Sequence, residues 1–349
     1  IVTDTARQCV APFTMNAADW LEPTWDGLFT QIGRLADALI TGGSSSIRTT
    51  GQFQMRVAGA AARKMLIGAA ADEWDVPANE IETRDSTLLH ASGKTATYAE
   101  FATAAADQPM DQPPTLKSPD QYKLIGKSKA RTDIPSKVNG TAKFGIDAAP
   151  EGVEFSYAAT VRPPVPGTRV ASMDASKAKE MNGVLQILNM GDFIAVVADS
   201  YWQAQQALNR VDVTWTQSES AIKSSEDQFA AYSKAMDEAG ADGGDEAASK
   251  GNFADAFAGA ATQLEAEYKV PYLAHAPMEP INCTAMVQDG KCDVWTSTQV
   301  PLRVRTELNE ALGIAKDDIT VHHPYLGGSF GRRLEGVYAV MTARVAQAT

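Results

Sequence analysis

The sequence predicts an α+β protein: a helical or mixed first segment, then a small α/β domain, then a mixed α/β segment. Three observations predict it. An apolar stripe at helical spacing runs through residues 52–74, β-branched runs alternate with a capped helix between 123 and 217, and strands and helices alternate again around a glycine-rich loop after 263.

The first segment, 1–107, reads as mainly helical. Ala58, Ala61, Ala62, Met65, Leu66 and Ala69 recur at three- and four-residue spacing, while Arg56, Arg63 and Lys64 fall off that stripe. A break follows at Gln108-Pro109-Met110-Asp111-Gln112-Pro113-Pro114, where prolines withhold backbone donors and favour extended chain, so 108–122 is expected to be a linker.

In the second segment, 123–217, Val184–Leu188 and Phe193–Ala198 flank Asn189-Met190-Gly191-Asp192 as a hairpin. Ser200 caps a helix carrying Trp202, Ala207 and Leu208, and a strand at Val211–Trp215 follows. Residues 218–262 read as a helical and acidic linker, with its charge concentrated at Asp237–Glu246. The third segment, 263–349, predicts strands at Leu264–Val270, Thr284–Val287 and Cys292–Thr296, a helix at Leu302–Leu312, a strand at Ile319–Val321, a glycine loop, and a helix at Gly336–Ala346. The start, Ile1-Val2-Thr3-Asp4, lacks Met and any signal-peptide pattern, and the last helix runs uncapped to Ala348-Thr349. The chain is therefore expected to be a portion of something larger.

Composition excludes several functions. With 43 acidic against 31 basic residues and a net charge of −12, the chain has no basic stripe to neutralise phosphates, so nucleic acid is not expected as a partner. No run of about 18 apolar residues is present to span a membrane. Three cysteines, Cys9, Cys283 and Cys292, form no Cys-x-x-Cys pair and are too few for a protein-held iron–sulfur cluster. Cys283 and Cys292 are placed to bridge across a short hairpin, but spacing does not decide whether they do.

Two loops carry the strongest chemical signal. Thr41-Gly42-Gly43-Ser44-Ser45-Ser46-Ile47-Arg48 and Leu326-Gly327-Gly328-Ser329-Phe330-Gly331-Arg332-Arg333 share paired glycines, a serine, and an arginine four residues after it, at Arg48 and Arg333. Backbone N–H groups, a hydroxyl and a guanidinium ahead of a helix suit a phosphate. A flexible turn with a capping serine fits the same pattern. Neither loop ends in Gly-Lys-Ser/Thr or forms Gly-x-Gly-x-x-Gly, so P-loop and Rossmann readings fail. No protein-ligated metal site is expected: Pro277 interrupts the spacing of His275 and Glu279, and His322 and His323 point to opposite faces of a strand. With no nucleophile elbow, chemistry here would fall to a cofactor.

A longer ordered set of motifs then resembles a known family. Leu124-Ile125-Gly126-Lys127, Arg131–Asp147, Arg162-Pro163-Pro164, Asn182-Gly183-Val184 and Val196–Ala204 resemble the hammerhead domain of the xanthine dehydrogenase/aldehyde oxidoreductase family. His275-Ala276-Pro277-Met278-Glu279-Pro280, Thr296–Pro301 and Gly327–Arg332 follow in the order of its molybdenum-binding subunit. The resemblance covers nearly the whole chain and is strongest to the beta subunit of isoquinoline 1-oxidoreductase and its relatives.

The resemblance implies that 1–107 is part of a molybdopterin-binding region, 123–217 a hammerhead-like domain, and 263–349 the first part of the main molybdopterin-binding domain. It implies molybdopterin, as the cytosine dinucleotide, with Mo held by the pterin. Gln299 then stands near a molybdenum oxygen, and Phe330 packs beside the metal. Gly327, Gly328, Gly331 and Arg332 admit the cofactor, and Gly43, Ser44 and Ser46 contact the pterin or its dinucleotide. The reaction implied is hydroxylation of an N-heterocycle or aldehyde with oxygen from water. Its electrons pass to iron–sulfur clusters on a small [2Fe–2S] subunit, and the remaining C-terminal part of the same subunit is a further expected partner.

Three departures stand beside this. The family's glutamate base would lie beyond Thr349, its Gly-Gln-Gly stretch is missing before the serine loop, and Leu334 occupies the place of a purine-facing glutamate. A non-catalytic, hammerhead-containing binding or assembly module is the alternative from another class, and a nucleotide-binding enzyme without molybdenum is a third. Bacterial periplasm and cytoplasm both remain open as compartments.

Overall fold

The computed structural model describes residues 41, 42, 44, 55–110, 113–218, 224–240 and 248–349. They belong to two compact units: Ile1–Ala149 with Pro277–Gln347, and Pro150–Ala276 with Ala348–Thr349. The sequence breaks at 108–122 and 218–262 do not coincide with these bounds. The residues after 123 join the first unit because Phe144 bridges to Tyr325, and Gly145 packs on Glu279, Asn282 and Ser297.

The N-terminal part of the first unit begins with helix α1, Met55–Trp74, whose Ala61, Ile67, Ala69 and Ala70 are buried. Three short antiparallel strands follow, β1 Glu82–Arg84, β2 Thr87–Leu89 and β3 Thr95–Thr97, then helix α2, Tyr98–Ala106. Helix outweighs strand among the described residues of this segment, as expected, and the three short strands are the part that periodicity does not announce. Strands of three residues are too short to show a period of their own, and the β1–β2 turn rests on Asp85 and Ser86, both at positive φ. Leu88 from the sheet packs against Ile67 and Phe101, and the Trp74 and Phe101 rings meet edge to face at 5.7 Å. After α2 the chain extends past Tyr122, whose ring lies under the Arg56 guanidinium at 5.3 Å, to a one-turn helix α3, Ile134–Val138.

The second unit holds β4 Tyr157–Val161, β5 Val170–Asp174, the short helix α4 Ser176–Lys179, β6 Val184–Asn189, β7 Ile194–Ala198, helix α5 Tyr201–Leu208 and β8 Asp212–Trp215. The predicted hairpin forms as β6–β7. Strand β7 is the centre of the order β4-β7-β6, so all five of its residues are buried, as a run without polar alternation requires. Ala204, Ala207 and Leu208 of α5 close over Ile194, Val196 and Ala198. Ser200 caps α5 as predicted, its hydroxyl accepting the Gln203 N–H at 3.3 Å. Helices α6 Ser225–Ala239 and α7 Phe253–Ala258 follow, neither with a buried residue.

The predicted strand at 264–270 does not form. The segment is exposed and outside every ladder among the described residues, because a strand pattern becomes a strand only where a neighbouring edge accepts its hydrogen bonds.

Returning to the first unit, β9 Thr284–Gln288 and β10 Lys291–Trp295 form an antiparallel hairpin across Asp289-Gly290, both at positive φ. Helix α8, Pro301–Leu312, starts on a proline and ends on left-handed Gly313; β11, Ile319–His322, then pairs parallel to β10, and helix α9 spans Val337–Ala348. Val294, Val304, Leu308, Tyr338, Ala339 and Ala343 form the core between sheet and helices.

Leu308 is fully buried in that core, so Leu308→Ala is expected to lower stability by about 2–5 kcal/mol. Urea unfolding followed by circular dichroism reads this as a lower midpoint.

Candidate functional site

Strands β10 and β11 run parallel, and both sequence-predicted site segments follow their carboxyl ends, where open α/β sheets leave a crevice for ligands. From β10 the chain continues as Thr296-Ser297-Thr298-Gln299 into α8; from β11 it continues into the loop 326–333. Thr296, Ser297 and Thr298 are buried, and Ser297 Oγ donates to Tyr325 O at 2.8 Å.

The loop is organised around Arg333, whose side chain is completely buried. Its Nε donates to Gly328 O at 2.9 Å, Nη1 to Ser297 O at 3.2 Å, and Nη2 to both Glu279 O and Glu279 Oε2 at 3.0 and 2.9 Å. Arg333 O accepts the Gln299 N–H at 2.9 Å and the Thr298 hydroxyl at 3.2 Å. The reading of Arg333 as a phosphate-binding arginine is therefore corrected. Every nitrogen of its guanidinium is spent inside the protein, so spacing to the serine has a structural cause.

Gln299 joins the two Gly-Gly-Ser loops. Its backbone carbonyl accepts the Thr41 N–H at 2.9 Å, its Nε2 donates to Thr41 O, and its Oε1 accepts from Ser329 Oγ. One amide thus spans both loops, leaving the second Nε2 hydrogen for a further acceptor. Ser44 is exposed with φ 59°, while Gly43, Ser46 and Arg48 lie outside the described residues.

Within the loop, Gly328, Phe330 and Gly331 all have positive φ, at 98°, 53° and 92°. The N–H groups of Gly327, Arg332, Arg333 and Leu334 are bonded to Glu279 Oε2, Ser329 O, Ser329 Oγ and Gly331 O. Those of Gly328, Ser329, Phe330 and Gly331 have no partner among the described residues. Four consecutive donors in a left-handed bend make a nest suited to an anionic or oxygen-rich group. The Phe330 ring stands 76 % exposed beside them. Arg332 is half-buried, its Nη1 3.7 Å from Glu335, on the loop's outgoing side.

Two residues that sequence spacing assigned no role are central. Sequence spacing relates Glu279 only to His275, yet His275 is exposed while Glu279 is buried on Arg333. Gly145 has no room for a side chain, since a Cβ would lie 2.6–2.9 Å from Asn282, Ser297 and Glu279. The partners named here are 54 to 152 residues away, beyond any local pattern. The histidines do not converge: the His322 ring stacks on Trp295 at 4.4 Å and bonds Asp293 at 2.8 Å, while His323 bonds Thr298 O. Cys283 and Cys292 are free thiols, and Cys292 stands opposite Val287 in the hairpin. Burial pushes the Cys283 thiol up to about 12; burial, and then the Asp293 charge, push Cys292 up to about 11.

Residues 239–349 match a family described as the molybdopterin cofactor-binding domain. The chain is 31 % identical to isoquinoline 1-oxidoreductase subunit beta of Brevundimonas diminuta over 95 % of this chain and 48 % of that protein. It is 29 % identical to the membrane-bound aldehyde dehydrogenase [pyrroloquinoline-quinone] of Gluconacetobacter polyoxogenes, over 89 % of this chain and 41 % of that one. Among solved structures it is similar to quinoline 2-oxidoreductase from Pseudomonas putida 86, with a TM-score of 0.47 and 19 % identity over 65 % of this chain and 34 % of that chain. The chain spans about half the length of the relatives it matches.

A Cβ on Gly327 would sit 2.4 Å from Glu279 Cβ, whereas one on Gly328 meets only ordinary contacts at 3.7 Å or more but must adopt φ 98°. Gly328→Ala is expected to cost about 1–2 kcal/mol for its left-handed backbone. Gly327→Ala, which must move a buried ion pair, is expected to cost more, read as the larger drop in melting temperature. The thiols give a second test. With both pKa values raised, little thiolate forms at pH 8, so Cys283 and Cys292 should resist iodoacetamide in the native protein and react after unfolding.

Proposed function

Because the chain belongs to the molybdopterin-binding large subunits of the xanthine dehydrogenase/aldehyde oxidoreductase family, we propose that it holds one face of the catalytic cofactor of a molybdenum hydroxylase. The substrate class is an electron-poor carbon of an N-heterocycle or an aldehyde, the new oxygen comes from water, and the electrons leave for iron–sulfur clusters on a small [2Fe–2S] subunit. The observation that carries this reading is the Gln299 amide clasping Thr41 and Ser329 next to four N–H groups that the described protein does not itself satisfy.

These donors fit molybdopterin, an anionic group rich in acceptor oxygens, and the glycines let backbone rather than side chain meet it. When bound as its cytosine dinucleotide, molybdopterin supplies a molybdenum centre able to accept two electrons. Around it, Gly327, Gly328 and Gly331 present the loop backbone, and Phe330 offers an apolar face. Arg332 flanks the loop, and Gln299 would hold its second amide hydrogen toward an acceptor of the bound cofactor. Gly43, Ser44 and Ser46 are assigned to contacts with the pterin or its dinucleotide. Glu279 takes no part in proton transfer, because both its oxygens are engaged on Arg333, Gly327, Ile146 and Asn282.

In domain terms, we assign 123–217 as hammerhead-like, 1–107 as part of the cofactor-binding region, 108–122 and 218–262 as linkers, and 263–349 as the first part of the main molybdopterin-binding domain.

Molybdenum and cytidine nucleotide measured in protein purified from its native host test the proposal: both should be present in equimolar amount with the chain. Metal-free protein with no pterin would sink it and favour a binding or assembly module. Gln299→Ala is expected to keep the molybdenum and lower turnover roughly 10²–10³-fold, the loss typical of one preorganised donor. Gly328→Val should instead lower molybdenum content, because a branched side chain enters the space the backbone must leave free.

A further inference from the structure

The loop that presents the four N–H groups begins at Gly327 and ends at Arg333, and a single carboxylate holds both ends. Glu279 Oε2 accepts the Gly327 N–H at 2.9 Å and the Arg333 Nη2 at 2.9 Å. The same residue closes a second bond to the loop's entrance through its own backbone, Glu279 N–H to Gly327 O at 3.0 Å. Arg333 carries the constraint onward to Gly328 O, and through its own carbonyl to the Gln299 N–H.

We propose that Glu279 is a positioning residue, whose buried carboxylate sets the curvature of 327–333 and the attitude of Gln299 before any ligand arrives. A charge is needed at this point because the two oxygens together take donors from Gly327, Arg333, Asn282 and Ile146, and only an ionised carboxylate accepts on both oxygens without presenting a proton to any of them. Its length is fixed as well. Oε1 reaches the Asn282 amide at 3.3 Å and the Ile146 N–H at 3.4 Å, while Gly327 and Gly145 press on it with no space for a methyl group. A glutamine would turn an N–H₂ toward one of these donors, and an aspartate would fall short of Arg333. Preorganised donors bind without paying the ordering cost of a loose loop, which gives an ion pair this deeply buried a use beyond stability. The identity of the ligand rests on the proposed function; the positioning itself is a property of the chain alone.

Hydrogen exchange in the purified protein tests this directly. In Glu279→Gln, the bonded amides of Gly327, Arg332 and Arg333 should exchange at least about tenfold faster, the scale of losing one charged hydrogen bond, while amides of β9 and β10 in the same unit stay unchanged. Molybdenum content should fall with it. A merely structural role would instead loosen β9 and β10 together with the loop. A measurement on the unaltered protein keeps the test independent of how the variant folds: the Gly327 amide should exchange at least about a hundredfold slower than an open loop amide. Fast exchange at Gly327, or an unchanged loop in folded Glu279→Gln, overturns the proposal. A loosened loop in protein that never carried molybdenum supports the positioning role and removes the proposed function instead.

Discussion

The buried Arg333 guanidinium is the constraint on which the first unit depends. It joins three stretches that are far apart in sequence: the turn at 277–282, the segment leaving β10, and the glycine loop leaving β11. Burying a charge without a partner is costly, and removing one member of such a pair typically costs about 3–5 kcal/mol. Arg333 escapes that penalty because Glu279 supplies the countercharge and each guanidinium nitrogen also donates to a backbone carbonyl. A well-packed apolar replacement would serve stability as well, so the pair is better understood as fixing which of many loop conformations is populated.

The surrounding elements follow from this point. Parallel pairing of β10 with β11 brings two strand ends side by side, and α8 and α9 cover the sheet with Leu308, Val304 and Ala339. Tyr338 adds a further tie, its hydroxyl donating to Ser297 O at 3.1 Å. Burial raises its pKa, which keeps it a neutral donor. In the loop, Phe330 takes a left-handed backbone that a bulky residue rarely adopts. Such strain persists only where neighbours over-determine it, and here Ser329, Arg333 and Glu279 do so.

Much of the architecture was legible in the sequence. The β6–β7 hairpin, the Ser200 cap, the β9–β10 hairpin and helices α1, α8 and α9 all follow from periodicity and turn chemistry, because each is stabilised mainly by contacts near in sequence. The three-residue strands β1–β3 escaped, being too short to show a period. The segment 264–270 failed in the opposite sense: its alternation is real, yet no strand edge among the described residues receives it. Of the site, the glycine loop and Gln299 stood out by residue type, and the structure brings Gln299, Ser329 and Thr41 together. Glu279, Gly145 and the inward turn of Arg333 did not stand out. Their roles depend mainly on partners 36 to 152 residues away.

By itself, then, the sequence determined the class of the fold, the local elements, the lack of a protein-held cluster motif, and the family resemblance that its ordered motifs carry. Tertiary structure alone decided which arginine faces inward, which carboxylate answers it, and which four N–H groups are left over for something else. The reason is physical: helical periodicity and turn chemistry are encoded within a few residues, whereas satisfaction of a buried charge is a condition on the whole packed unit. Arg332 and Arg333 are adjacent and chemically identical, and only the position of Glu279 distinguishes them.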